Sequence, residues 1–127
     1  MSIKIDGYQS QFIIYGQPCS KANSRRLVKF GNKPAFIKSA KALEYEKNFK
    51  SQCPVRDNLF TEDVVVTITI YYESRRPDLD ESVILDCMQD FIYKNDRQVK
   101  EKHIYWGLDK ENPRSEIHVR LKENKQS

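Results

Sequence analysis

The longest alternation in the chain runs over Asp63–Tyr72. Val64, Val66, Ile68, Ile70 and Tyr72 fall on one side of it, and Val65, Thr67, Thr69 and Tyr71 on the other. A period of two built from β-branched residues predicts a strand whose apolar face lies in the core and whose mixed face does not. Gln11–Gly16 predicts a shorter first strand ending at a glycine, and Pro18–Ser24 a loop of turn-forming residues. Arg26–Phe30 and Ala35–Ile37 are apolar and basic runs joined across Gly31–Pro34, the pattern of a hairpin. Ser39 is placed to cap a helix reaching about Lys50, with Ala42, Leu43, Tyr45 and Phe49 as its apolar stripe. From Asp80 the period becomes helical again. Val83, Ile84, Cys87, Met88 and Phe91 make one face, with Asp86 and Asp90 on the polar side. Val99–Trp106 and Ser115–Leu121 read as closing strands joined across Gly107–Arg114, and Lys122–Ser127 as a frayed tail. The order β-ββ-α-β-α-β-β is an α+β fold: one domain over residues 1–127, a mixed sheet with two helices.

Composition narrows the class. A chain of 127 residues supports one modest core. Its charged fraction of 31% and mean hydropathy of −0.74 describe a very polar surface. Seven tyrosines, six phenylalanines and one tryptophan argue against disorder. No apolar stretch approaches the roughly 20 residues of a membrane span, and Met1–Gln11 is too polar for a signal peptide. The expected location is therefore the cytoplasm, whether the chain is cellular or encoded by a virus or prophage and acting in its host. Cys19, Cys53 and Cys87 are odd in number and widely spaced, and His103 and His118 stand at no zinc-like spacing from them. Free thiols are expected, and zinc is not.

The net charge of +4 is unevenly spread. Residues 21–50 carry nine cations against Glu44 and Glu46, whereas residues 73–96 carry Glu73, Asp78, Asp80, Glu81, Asp86, Asp90 and Asp96. A basic lobe beside an acidic one suits a polyanion with a divalent cation, and suits a solvated surface with chance clustering about as well.

The acidic lobe holds the candidate chemistry. In Arg75–Asp80 two carboxylates stand one residue apart, and Tyr93–Val99 brings Asp96 after the helix. If the strand exit stays extended, Asp78 and Asp80 face one space about 7 Å apart while Leu79 faces the core. Like charges held that close call for a compensating cation, and Mg²⁺ takes one or two carboxylates with waters and phosphate oxygens. The plainer reading makes Asp80 an N-cap and Asp78 a loop residue. Glu81 reads as a first-turn acid near the helix dipole. A helix over residues 81–92 would be about 18 Å long, yet Tyr93–Asp96 reaches only about 14 Å. Asp96 therefore returns toward Asp80 if the helix starts late, ends early or crosses the sheet end obliquely, or else a second subunit completes the site; a helix of about two to three turns is expected.

Arg76–Asp80, Leu85–Met88, Tyr93–Val99 and Asn112–Val119, with the loop Gly16–Ser24 and Phe36–Ser39, resemble the RusA-type Holliday junction resolvases over nearly the whole chain. The resemblance implies a homodimeric, Mg²⁺-dependent endodeoxyribonuclease, with Mn²⁺ as a possible substitute. It would bind branched DNA, nick four-way junctions symmetrically with a metal-activated water, and leave 5′-phosphate and 3′-hydroxyl ends. Its catalytic and metal-binding aspartates fall on Asp78, Asp80 and Asp96. Two departures stand out: Glu81 replaces the family's usual asparagine, and no lysine lies between Asp80 and Lys94. Lys94, Lys100 or Lys102 is left to supply a cation from elsewhere. Lys21, Asn23, Arg25, Arg26, Lys29, Lys38, Arg75, Arg76 and Arg97 become candidate DNA contacts, those near the carboxylates equally suited to balancing their charge. Tyr105 and Trp106 are expected to be buried or at a dimer interface, with stacking on unpaired bases as the alternative. A branched-DNA-binding module without turnover, and a nuclease acting on flaps or forks, are the competing functions.

Overall fold

A computed structural model describes residues 3–19 and 25–123. The chain forms β1 (Lys4–Ile5), β2 (Gln9–Tyr15), β3 (Arg25–Phe30), β4 (Lys33–Lys38), α1 (Ala40–Gln52), β5 (Val64–Tyr72), α2 (Ser82–Met88), a 3₁₀ turn (Asp96–Gln98), β6 (Val99–Leu108) and β7 (Arg114–Leu121). This is the expected α+β domain with two helices and a mixed sheet, preceded by a two-residue edge strand that its polar sequence does not announce.

The main sheet runs β1-β2-β7-β5-β6. β5 pairs antiparallel with β7 and parallel with β6. A parallel partner requires a crossover, which α2 and the turns around it supply. Val64, Val66, Ile68, Ile70 and Tyr72 are all buried, and they pack in one cluster with Phe49, Ile84, Met88, Ile92 and Tyr93. Ser39 caps α1 as expected, its hydroxyl accepting from the Ala42 amide. Side chains of α1 also hold the end of β2: Gln52 and Asn48 donate to the Tyr15 carbonyl, and Gln52 accepts from the Tyr15 amide.

Several expectations are corrected. Leu43 is 53% exposed, because Ala42, Tyr45 and Phe49 already fill the buried stripe. The hairpin turn is only Gly31-Asn32, so Lys33 and Pro34 belong to β4. Gly31 adopts φ +64, the backbone a two-residue hairpin turn draws on. α2 ends at Met88, leaving Asp90 and Phe91 beyond the helix, with Asp90 at φ 70 reversing the chain. Lys122 is not frayed: its amide donates to the Asp63 carbonyl and its ammonium to Glu101. Residues 124–127 lie outside the described residues.

One buried cation belongs to the framework. Arg56 lies against Phe60 at 3.8 Å and donates to the carbonyls of Asp6, Gln9 and Asn58 and to Ser10 Oγ. Carbonyl oxygens replace the water that burial removes from the guanidinium.

Candidate active site

Two buried tyrosines fasten the two acidic segments to the core. Tyr72 ends β5, and its hydroxyl donates to the Asp78 carbonyl at 3.2 Å while accepting from the Asp80 amide at 3.3 Å. Burial raises the pKa of that hydroxyl, and the charges of Asp80, Glu81 and Asp78 raise it further. It therefore remains a donor through neutral pH. Because the hydroxyl turns the segment, the strand exit does not stay extended, and Leu79 is 38% exposed instead of facing the core. Pro77–Glu81 then runs back along β6. Trp106 Nε1 donates to the Pro77 carbonyl at 3.3 Å, and Lys102 reaches Glu81 at 2.9 Å.

Asp80 partly fills the capping role the plainer reading gives it. Both the amide and the hydroxyl of Ser82 donate to its Oδ1, at 3.1 and 2.8 Å. Glu81 occupies the N-cap position without a side-chain cap, and its carboxylate is paired with Lys102. Lys102 thus brings its ammonium to the residue after Asp80, whereas Lys94 and Lys100 stand exposed on the turn and on β6.

The second tyrosine, Tyr93, donates from its hydroxyl to the Leu85 carbonyl at 2.6 Å. Burial pushes this hydroxyl well above the usual tyrosine range, with the Asp96 and Asp86 charges adding to the effect. The Asp96 amide donates to Gln89 Oε1 at 3.3 Å, and Asn95 caps the 3₁₀ turn reciprocally with Gln98. The helix is short as expected, a seven-residue α2 about 10 Å long, but its early end does not gather Asp96 with Asp78 and Asp80. Asp78 and Asp80 therefore share one tether and Asp96 has another, at the far end of α2.

Among the described residues, no three His, Cys, Asp or Glu side chains are gathered closely enough to hold a metal ion. Asp78, Asp80 and Asp96 are not a preassembled three-carboxylate cage. Mg²⁺ needs only one or two protein carboxylates when water and phosphate complete its octahedron. Asp78 and Asp80 fit that mode, since both lie on one loop and the Ser82 bonds fall on a single oxygen of Asp80.

Beside this loop lies a cleft of about 660 Å³. Gly16–Cys19, the first half of α1 and the exit from β5 build it, and Lys41, Glu44, Asn48, Glu73, Arg76 and Pro77 are among the residues lining it. Gln17 ties two of these walls together by accepting from the Glu73 amide at 2.8 Å. Cys19 has its thiol pKa raised chiefly by burial, and the charge of Asp80 reaches it. The carboxylate loop therefore stands at the edge of the cleft. Arg76 lines the cleft, and Arg75 and Arg97 are exposed; among the described residues none of the three makes an ion pair with a carboxylate.

Arg25, Arg26 and Lys29 project from the hairpin, while Lys38 is ion-paired with Glu46. Lys21 and Asn23 lie outside the described residues. Tyr105 and Trp106 are 54% and 38% exposed, so the expected burial does not hold in the single chain; Trp106 instead stacks on Tyr72 at 6.0 Å. Tyr72, Tyr93, Gln89 and Lys41 were missed as site residues. The sequence signal for the tyrosines is their position, Tyr72 six residues before Asp78 and Tyr93 three before Asp96.

No helix of the described residues is long and apolar enough to cross a membrane. The model of the family Endodeoxyribonuclease RusA matches residues 16–120. No curated protein matches the chain.

Proposed function

The chain belongs to the RusA endodeoxyribonuclease family, and from that premise we propose that it resolves four-way DNA junctions by paired, symmetric nicks. Asp78, Asp80 and Asp96 are the proposed catalytic and metal-binding residues, with Mg²⁺ the proposed ion and Mn²⁺ its substitute. The observation that carries this reading is the Tyr72 hydroxyl tethering the Asp78–Asp80 loop beside a cleft whose lining includes Arg76 and Lys41. When bound, the divalent cation supplies an activated water and offsets charge developing on the phosphate.

The protein's own groups have separate tasks. Ser82 orients Asp80, and Tyr72 fixes the backbone on both sides of Leu79. Lys102, held by Glu81, places a cation beside Asp80, a role open because α2 carries no lysine. Arg75, Arg76 and Arg97, unpaired with carboxylates, suit phosphate oxygens. Arg25, Arg26, Lys29 and Lys38, with Lys21 and Asn23, are the proposed backbone contacts along the basic lobe. A homodimer accounts for paired nicks, because a junction with near two-fold symmetry needs two equivalent sites.

The test is cleavage of a synthetic four-way junction in Mg²⁺ by the unmodified protein and by Asp80→Asn, with sedimentation to count subunits. The unmodified protein should nick opposing strands. Asp80→Asn should bind normally and cleave at least about 100-fold more slowly, about 2.7 kcal/mol of lost transition-state stabilisation. Equal cleavage by both proteins would discard the carboxylate assignment. Tight binding without cleavage by the unmodified protein would establish a binding module instead.

A further inference from the structure

β3 and β4 pair only with each other, forming a two-stranded sheet separate from the main one. Their register, from Arg25 opposite Lys38 to Phe30 opposite Lys33, sorts the side chains onto two faces. On one face Val28, Ala35 and Ile37 are half-buried, with Arg26, Phe30 and Lys33 exposed around them. On the other, Arg25, Leu27, Lys29, Pro34, Phe36 and Lys38 are all exposed. A solvated sheet face ordinarily carries polar side chains. Here Leu27, 57% exposed, stands directly across from Phe36, 69% exposed.

The charge around that apolar pair is of one sign. Residues 25–38 contain five cations and no carboxylate. Arg25 and Lys29 flank Leu27 on its own strand, about 13 Å apart. Lys38 pairs with Glu46 of α1 and anchors the base of the hairpin. The hairpin also leads into the cleft wall: β4 ends at Lys38, Lys41 lines the cleft, and the Ser39 hydroxyl between them sits beside the thiol of Cys19, another lining residue. A second copy docking this face on itself would set cations against cations, which an isologous contact does not favour. A nucleic-acid strand offers both complements at once, bases for the ring and phosphates for the cations.

We propose that the outer face of the β3–β4 hairpin is a stacking platform for unpaired bases at a DNA branch. Phe36 is the stacking ring, Leu27 packs beside it, and Arg25 and Lys29 contact the flanking phosphates. This rests on the DNA-cleaving reading and adds to it the element that distinguishes a branch from plain duplex. An intact duplex keeps its bases stacked and offers Phe36 nothing to cover.

The experiment measures affinity of the full chain, with metal withheld, for a four-way junction carrying 2-aminopurine at the branch and for an unbranched duplex of equal length. Phe36→Ala and Phe36→Leu should weaken junction binding about 5- to 100-fold, the range of one stacked base. Duplex binding should change less than about twofold, Phe36→Trp should restore junction affinity, and 2-aminopurine fluorescence should be quenched only by ring-bearing proteins. Sedimentation should be unchanged across the series. Equal losses on junction and duplex, full affinity in Phe36→Leu or in Phe36→Ala, or a change in subunit number would each overturn the proposal, the last making this face an interface between copies. Cleavage is scored separately. A protein that cleaves junctions yet ignores Phe36 sinks the platform alone, and Phe36-dependent binding without cleavage sinks the catalytic reading alone.

Discussion

Replacing Tyr72 by Phe isolates what positions the carboxylate loop. The ring is 1% exposed and stacks on Trp106, and Phe preserves both features. Only the hydroxyl is lost, and with it the bonds to the Asp78 carbonyl and the Asp80 amide. At 3.2 and 3.3 Å both are long, and a net contribution of about 0.5–1 kcal/mol each is expected. The two together make the expected loss about 1–2 kcal/mol. With a urea slope of about 2 kcal/mol/M, the midpoint should fall by about 0.5–1 M. Cleavage should suffer more than stability, by about 10- to 100-fold, because the loop carrying Asp78 and Asp80 loses its tether. The half-maximal Mg²⁺ concentration should rise while junction affinity stays level. Single-turnover cleavage across a Mg²⁺ titration, alongside urea denaturation, measures both effects. A variant with the expected drop in midpoint but unchanged cleavage and Mg²⁺ response would refute the positioning role.

Other perturbations probe the framework. Arg56→Ala should destabilise the fold by about 2–4 kcal/mol, since it strands three carbonyls and Ser10 Oγ and uncovers the Phe60 ring; denaturant midpoints check this, with cleavage per folded molecule preserved. Gly107→Ala would place a Cβ 2.6 Å from Tyr71 Cδ1, on a ring that also carries the Arg114 guanidinium at 4.1 Å, and a loss of about 1–3 kcal/mol should appear in thermal unfolding. His118 has its pKa lowered below 6.5, by burial first and then by Arg120 and Lys4. As pH falls through 6.5 the unfolded chain takes up the proton more readily, so stability should decline on that side and be retained above it; His118→Gln should flatten the midpoint between pH 7.5 and 5.5. Glu101, drawn down to about 2 by the His103 hydrogen bond and then by Lys122, adds stability above the ordinary glutamate range that is lost as pH falls toward 2. Glu101→Gln should therefore make the acid side of the stability profile less steep.

Much of the molecule was legible before any coordinates. The period-two run over residues 64–72 marked one face for the core, and the structure buries all five residues of that face, with Val65 of the other face buried beside them. Ser39 announced a helix start because a hydroxyl at that position satisfies an orphan amide, and the bond to Ala42 is present. The shortness of α2 was expected from chain reach on the premise that Asp96 returns toward Asp80; α2 is short, yet the three aspartates are not gathered. The acidic motifs, their order and the basic lobe were likewise explicit in the residues and sufficed for the family.

Tertiary structure decided where those motifs go. Leu79 carries no local sign that it will be exposed; it is pushed outward because a hydroxyl seven residues earlier claims the backbone on either side of it. Lys102 lies on a strand 21 residues from Glu81, and only the parallel pairing of β5 with β6 brings the two together. Arg56 looks like a surface cation until carbonyls almost 50 residues away surround it. Periodicity is a property of neighbours along the chain and survives in any fold that buries one face. Hydrogen bonds and ion pairs between distant residues exist only once packing has closed the loops between them, and in this protein those contacts position the carboxylates.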